Sequence, residues 1–224
     1  MLTAYAAGAF PMAEDRDSPV IHWIEPRQRG VFPLDAFHVP RRLARTFRRQ
    51  PYAIAVDLDF PGVIRACAGS RPGRERTWLN DELIELYIEL HRLGWAHSVE
   101  CRRDGELVGG LYGVSLRGAF FGESMFSTAT DASKLALVEL VGRLRHGGFR
   151  LLDAQFVTEH LLQFGAIELP RSRYKLLLAQ ALASEATFPL DLRSYGLDVV
   201  GSGASRASGC DPAASPEQSS TQTS

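Results

Sequence analysis

Lysine is nearly missing from this chain. Of its 25 basic residues, only Lys134 and Lys175 are lysine, and the rest are arginine. We read that bias as genome base composition and give it no chemical meaning. Cysteine is also scarce. Cys67, Cys101 and Cys210 are odd in number and show no CxxC spacing, so neither a disulfide framework nor a zinc site is suggested. A reducing cytoplasm fits. The six histidines are scattered, and even His91 and His97 are separated by a helix end and a strand start, so no metal site is expected. Apolar runs of membrane length and a signal peptide are both lacking, which argues against a membrane partner. A net charge of -1 gives no global field to attract nucleic acid.

What is present is enough for one full domain plus an appendage: 224 residues, 45% of them hydrophobic. Residues 1–27 contain Gly8, Pro11, Pro19 and Pro26 and little periodicity. They predict a short irregular N-terminal portion anchored by Phe10, Met12 and Trp23, too small to fold alone. Residues 28–198 carry the predicted core. A long helix fits NDELIELYIELHRLG, with Leu83, Leu86, Tyr87, Leu90 and Leu93 at helical spacing, Asn80 or Asp81 as cap and Gly94 as stop. AHSVECRR and ELVGGLYGVS read as strands around the hairpin signal Asp104-Gly105. RGAFFGESMFS is a third strand, Asp131 to His146 a helix, and FRLLDAQFV a fourth strand. Thr158 opens a short helix closed by Gly165, and Pro170 introduces another. Residues 199–224 are Gly, Ser, Ala, Thr, Pro and Gln with few large apolar side chains, and are expected to form a disordered tail.

The order helix, three strands, helix, strand, helix is that of an α/β sandwich of two or three layers. It is similar to the acyl-CoA N-acetyltransferase superfamily, a likeness of fold that names no reaction.

Two strands are chemically unusual. Glu123, Asp153 and Gln155 interrupt otherwise apolar segments. A lone carboxylate in an apolar interior costs several kcal/mol or more unless it is paired. Function is an economical reason to carry three such groups, and it points to an enzyme. Alternation puts Phe149, Leu151, Asp153, Gln155 and Val157 on one strand face, with Asp153 and Gln155 about 7 Å apart at about 3.3 Å per residue. Glu123 and Met125 likewise share a face. The pattern leaves two blander readings open. Asp153 and Gln155 could cap loops or face solvent, and Glu123 could form a structural ion pair with an arginine. Gly109, Gly110 and Gly113 sit inside a predicted strand, where glycine marks a bulge or a close approach.

The segment HVPRRLARTFRR places Arg41, Arg42, Arg45, Arg48 and Arg49 on helical spacings, with Leu43 and Phe47 on another face. It is either a solvated amphipathic helix or a phosphate-binding surface; the run contains no acidic partner, which favours phosphate.

These segments together resemble the leucyl/phenylalanyl-tRNA–protein transferases. The resemblance rests on AYAAGAFPM (4–12), HWIEPR (22–27), HVPRRLARTFRR (38–49), TWL (77–79), HRLGWAHSVE (91–100), LVGGLYGV (107–114), FFGESMFS (120–127), ASKLAL (132–137) and LLDAQFVTEHLLQFGAIELPR (151–171). It covers most of residues 4 to 180 in order, and GGLYGV, GESMFS and LDAQ are its most specific parts. Members generally have more residues before the AYxxGxFP motif, so a shortened or misassigned start is expected. Ile24 and Glu25 stand where many members have tryptophan and serine.

The resemblance implies a bacterial cytoplasmic enzyme of the N-degron pathway with an acetyltransferase-like (GNAT) fold, a mixed sheet flanked by helices. It would move Leu, Phe or, less well, Met from aminoacyl-tRNA to proteins that begin with Arg or Lys. It implies a monomer without cofactor or metal. By matching positions, Asp153 and Gln155 take the catalytic roles, and Glu123 lies near the substrate. Trp78, Leu111 and Met125 line the aminoacyl pocket, and the five arginines meet tRNA. Leu111 stands where other members can have methionine, a volume-conserving change. Three competitors remain: an acetyl-CoA-dependent N-acetyltransferase, a non-catalytic aminoacyl-tRNA binder, and a transferase for acidic N-termini. The turn STATDASK lacks the glycines that a CoA pyrophosphate needs, which argues against the first.

Overall fold

The computed structural model describes residues 1–69 and 77–201. The N-terminal portion is more regular than the sequence predicts. A helix α1 (Leu2–Ala7) ends at Gly8, which takes a left-handed conformation. Strands β1 (Phe10–Ala13) and β2 (Ile21–Ile24) then pair antiparallel. Prolines and short elements hide this order from any periodicity test.

Strand β3 (Gln28–Phe32), helix α2 (Arg41–Arg48), strand β4 (Ala53–Val56) and helix α3 (Phe60–Ala68) lead into α4 (Asp81–Arg92). The Asn80 side chain caps α4 by accepting from Leu83 N at 2.8 Å. Its buried stripe is Leu83, Ile84, Tyr87, Ile88 and Leu90; the expected Leu86 and Leu93 are exposed, because the helix is rotated so that both isoleucines join the apolar cluster shared with α3 and the sheet. Strands β5 (Ala96–Arg103), β6 (Glu106–Leu116) and β7 (Ala119–Ser127) form the predicted meander. Asp104 and Gly105 both have positive φ, as a tight hairpin turn between β5 and β6 requires. Helix α5 (Ala132–His146), strand β8 (Leu151–Gln155), helix α6 (Glu159–Leu162), strand β9 (Ile167–Pro170) and helices α7 (Arg171–Ala183) and α8 (Gly196–Gly201) complete the described chain.

Seven strands make one mixed sheet in the order β4-β5-β6-β7-β8-β3-β9. All neighbours are antiparallel except β7 and β8. One face buries Val99, Cys101, Leu111, Phe120 and Leu152 against α5, α2 and α8. The other buries Tyr112, Val114, Phe121 and Leu151 against α1, α3, α4 and α7. Phe149 precedes β8 and packs with Leu152, so the expected single face from Phe149 to Val157 does not form. None of the described helices is long and apolar enough to cross a membrane.

The strand glycines have specific causes. Gly113 lies at a register shift between β6 and β7, where an added Cβ would fall 2.3 Å from the Phe121 carbonyl oxygen. A Cβ on Gly109 would fall 2.5 Å from Ala132 Cβ, so this glycine lets α5 lie directly on β6.

The C-terminal end also departs from expectation. Val199 and Val200 are buried in α8, so the chain remains packed past the expected tail boundary at 199. Buried Glu139 of α5 holds this segment by accepting from Tyr195 N and Gly196 N. It also pairs with buried Arg143, which donates to the carbonyls of Pro189, Asp191 and Arg193. Residues 202–224 lie outside the described residues.

Gly109→Ala should push α5 off the sheet. Overpacking of this kind costs about 1–3 kcal/mol, or about 2–4 °C in Tm per kcal/mol for a domain of this size. Calorimetry on the purified variant checks this; an unchanged Tm would mean that α5 shifts freely.

Candidate active site

The pairing of β7 with β8 is only three residues long, Ala119–Phe121 against Leu151–Asp153. The residues that follow on both strands, Gly122–Met125 and Ala154–Phe156, line a cavity of about 390 Å³. The cavity is therefore the wedge where two parallel strands part. Leu111, Leu137, Leu140 and Leu152 contribute apolar wall from one core, and Phe10, Met12 and Trp78 from the other.

Asp153 is the last residue of β8 to pair with β7 and is fully buried. Arg29 of β3, 1% exposed, meets it with two nitrogens: Nε lies 2.9 Å from Oδ1 and 3.1 Å from Oδ2, and Nη2 lies 2.6 Å from Oδ2. Tyr174 OH donates to Oδ2 at 2.6 Å, and Gln155 N donates to Oδ1 at 2.8 Å. Arg29 Nη1 donates to the Gly8 carbonyl at 3.0 Å, and the guanidinium lies against the rings of Phe10 (4.5 Å) and Tyr174 (4.7 Å). Burial pulls the Arg29 pKa down, but Asp153 outweighs it and the net shift is upward. Burial and then the Asp153 charge push the Tyr174 hydroxyl well up. The ion pair that the sequence left open for Glu123 thus belongs to Asp153.

Gln155 has φ 55°, a left-handed backbone in a residue other than glycine. Asp153 accepts the amide N–H that this turn presents. Strand alternation ends there, and the Gln155 side chain reaches Glu123 instead, with Nε2 3.4 Å from Oε1. Strained backbone of this kind clusters at functional sites.

Glu123 is half-buried on β7. Tyr5 OH donates to Oε1 at 2.7 Å, Tyr87 OH donates to Oε2 at 2.8 Å, and the two hydroxyls lie 2.7 Å apart. Burial raises the Glu123 carboxyl to about 7; the Tyr5 and Tyr87 hydroxyls oppose the rise, Asp153 adds to it and Arg29 opposes it. Burial first and the Glu123 charge second push both tyrosine hydroxyls well up. His160 also lines the cavity, and its Nε2 is buried with no hydrogen-bond partner among the described residues. Burial and then Lys134 lower the His160 pKa.

A family model described as leucyl/phenylalanyl-tRNA protein transferase matches residues 31–179, and that family's N-terminal domain matches residues 1–27. Curated relatives agree. The leucyl/phenylalanyl-tRNA–protein transferase of Phenylobacterium zucineum is 61% identical over 84% of this chain and 85% of its own length. That of Nitrobacter winogradskyi is 56% identical over 93% and 94%. The chain belongs to the leucyl/phenylalanyl-tRNA–protein transferase family. It is therefore a transferase enzyme. A solved structure titled "The structure of L-PGS from Bacillus licheniformis" overlaps at TM-score 0.40 and 16% identity, covering 72% of this chain and 54% of that one. At that score it carries no argument.

In this transferase, Trp78, Leu111, Glu123, Met125, Asp153 and Gln155 all line the one cavity. The five arginines lie elsewhere, on and just after α2. All are exposed, and none forms a salt bridge among the described residues. Arg48 donates to the Val200 carbonyl at 2.5 Å, so it ties α2 to α8. Sequence reasoning missed Arg29, Tyr5, Tyr87 and Tyr174. Tyr5 and Tyr87 were visible only as an element of AYAAGAFPM and as a core position of α4. Arg29 had a signal, a lone arginine inside the apolar strand QRGVF.

Removing one partner of a buried pair leaves an uncompensated charge, at about 3–5 kcal/mol. Arg29→Met should lower the unfolding free energy by that amount in urea titration. A loss below about 1 kcal/mol would mean that the pair does not hold the fold.

Proposed function

We propose that this enzyme moves Leu, Phe and, less well, Met from aminoacyl-tRNA to the α-amine of proteins that begin with Arg or Lys, marking them for the N-degron pathway. The observation that carries this reading is one apolar wedge with a polar corner. Trp78, Leu111 and Met125 stand at its apolar walls, and Glu123 and Gln155 meet at 3.4 Å.

An aminoacyl ester is already activated, so the reaction needs neither ATP nor metal. An α-amine with pKa near 8 is roughly a tenth neutral at pH 7. Holding amine and ester in attack geometry supplies several kcal/mol. Gln155 orients the amine or the carbonyl. Asp153, buried and bonded to Gln155 N, acts through Gln155 as a positioning residue. An apolar wall cannot separate Leu, Phe and Met finely, since one methylene is worth only about 1–3 kcal/mol. Glu123 supplies the negative charge that favours a cationic acceptor, by about 1.5–3 kcal/mol for a charge-assisted contact.

The acetyltransferase-like layout, a small N-terminal portion (1–27) before a catalytic domain (28–198), belongs to the same reading, as does a cytoplasmic monomer. Acetyl-CoA suits the protein poorly. Asp131 stands at the N-terminus of α5, where a pyrophosphate would need free N–H groups, and it pairs with Lys134 at 2.9 Å.

Incubation with radiolabelled Leu-tRNA or Phe-tRNA and an Arg-initiated peptide should label the peptide; acetyl-CoA should not. Arg- or Lys-initiated peptides should outcompete Ala- or Asp-initiated ones by roughly ten- to a hundredfold. A preference for an Asp-initiated peptide would overturn the acceptor class.

We assign Arg41, Arg42, Arg45, Arg48 and Arg49 to tRNA phosphates, Arg48 being partly committed to Val200. Replacing Arg42, Arg45 and Arg49 with Ala should reduce the slope of log affinity against log salt by roughly two to three. The apparent KM for aminoacyl-tRNA should rise while that for peptide holds. An unchanged slope would make the run a solvated helix.

A further inference from the structure

Helix α2 is poorly equipped to hold itself. It has eight residues, no side-chain cap at its N-terminus and no acidic residue in its first turn. Isolated helices shorter than about 12–15 residues are marginal in water. Like charges at i,i+3 and i,i+4 destabilise a helix further, and Arg45 meets Arg41, Arg42, Arg48 and Arg49 at those spacings. Arg41 and Arg42 also sit at the positive end of the helix dipole. The helix is held by its other face, where Leu43, Ala44 and Phe47 are buried.

That face rests on α5 and on the C-terminal segment. Val199 and Val200 share its apolar cluster. The Phe47 ring lies on the backbone of Gly196, where an added Cβ would fall 2.2 Å from Cζ. A Cβ on Gly142 of α5 would fall 2.3 Å from the Tyr195 carbonyl oxygen and 2.8 Å from Gly196 N. Tyr195 and Gly196 are thus held directly between α5 and α2. Fully buried Glu139 fixes them there, accepting from Tyr195 N at 3.1 Å, Gly196 N at 2.9 Å and Ser194 Oγ at 3.1 Å. Arg143 pairs with Glu139 at 3.0 Å and donates to the carbonyls of Pro189, Asp191 and Arg193. Arg48 closes the tie by donating to the Val200 carbonyl at 2.5 Å. None of these residues is among those lining the cavity where β7 and β8 part.

We propose, building on the assignment of the α2 arginines to tRNA phosphates, that segment 194–200 is a positioning element of the tRNA interface. Glu139 and Gly196 are its positioning residues. They touch no substrate; they set where α2 stands, and through α2 where its arginines meet the phosphates. Arginine forks recognise phosphate by geometry as well as by charge, so a displaced helix misplaces all five at once. A buried ion pair is a costly way to pack a chain end. Here Glu139 and Arg143 direct every hydrogen bond given above to the backbone or hydroxyl groups of residues 189–196, and so define one seat for the segment that backs α2.

The test compares two donors with an Arg-initiated peptide: full Leu-tRNA, and 3′-O-leucyl-adenosine, which carries the same ester without the tRNA body. Gly196→Ala pushes the Phe47 ring, and α2 with it, off its seat. It should raise the KM for Leu-tRNA by about tenfold and reduce the slope of log affinity against log salt by about one. Its kcat/KM for leucyl-adenosine should stay within about twofold of wild type, as for a site independent of the cavity. Adding Phe47→Leu makes room for the new methyl and should restore most of the Leu-tRNA KM. If Gly196→Ala does not fold, Val200→Ala, which thins the support under α2, is measured in the same way. Equal losses with both donors would mean that the segment only stabilises the domain, and would overturn the proposal. So would an unchanged KM for Leu-tRNA. An unchanged salt slope on replacing Arg42, Arg45 and Arg49 would instead defeat the assignment of α2 to tRNA itself.

Discussion

The buried pair of Arg29 with Asp153 is the constraint on which the site depends. It joins parts of the chain that are 124 residues apart. Arg29 lies on β3, receives the end of α1 through the Gly8 carbonyl, and lies between the rings of Phe10 and Tyr174. Asp153 lies where β8 leaves β7, and it fixes the left-handed turn at Gln155 by accepting its N–H. Two desolvated charges are costly, and such pairs stabilise a fold only when further hydrogen bonds satisfy the remaining lone pairs. Here Tyr174 OH and Gln155 N donate to the Asp153 oxygens, and the Gly8 carbonyl accepts from Arg29. The pair therefore specifies one arrangement of four elements around the wedge.

The same constraint explains why the N-terminal portion matters. Residues 1–27 bury too little surface to fold alone, yet they supply Tyr5, which contacts Glu123, and Phe10 and Met12, which line the cavity. Their position is set by Arg29 and by packing against α7. Loss of the ion pair would disturb the contact of Tyr5 with Glu123 without touching it directly.

Much of the sheet was legible in the sequence. Asp104-Gly105 specified the β5–β6 hairpin, and the pair Asn80 or Asp81 the start of α4, because each is a local signal with its own backbone chemistry. The polar interruptions at Glu123, Asp153 and Gln155 all fall on the lining of one cavity. What failed was anything set by tertiary partners. Leu86 and Leu93 fit a helical stripe as well as Ile84 and Ile88 do; only packing against α3 and the sheet decides which pair is buried. Strand alternation could not foresee that β8 ends at Gln155 with positive φ. Nor could it foresee that the arginine open to Glu123 would belong to Asp153, since Arg29 reaches it across β3–β8 pairing invisible at that separation. The short strands β1, β2, β4 and β9 are four residues each, too short for a periodicity to declare itself.

Two carboxylates in one cavity can do different work only if their surroundings differ. Asp153 has its charge matched by Arg29 and its lone pairs filled, so it suits a fixed electrostatic and geometric element. Glu123 has hydroxyl partners that carry no charge, and burial without a matched cation favours its neutral form. Arg29 assists both, directly for Asp153 and through space for Glu123. On the Glu123 carboxyl, Asp153 and Arg29 act in opposite senses, Asp153 raising it and Arg29 lowering it, after burial and the two tyrosine hydroxyls. The ion pair that builds the wedge thus largely cancels at Glu123, whose proton affinity is set first by burial and then by Tyr5 and Tyr87.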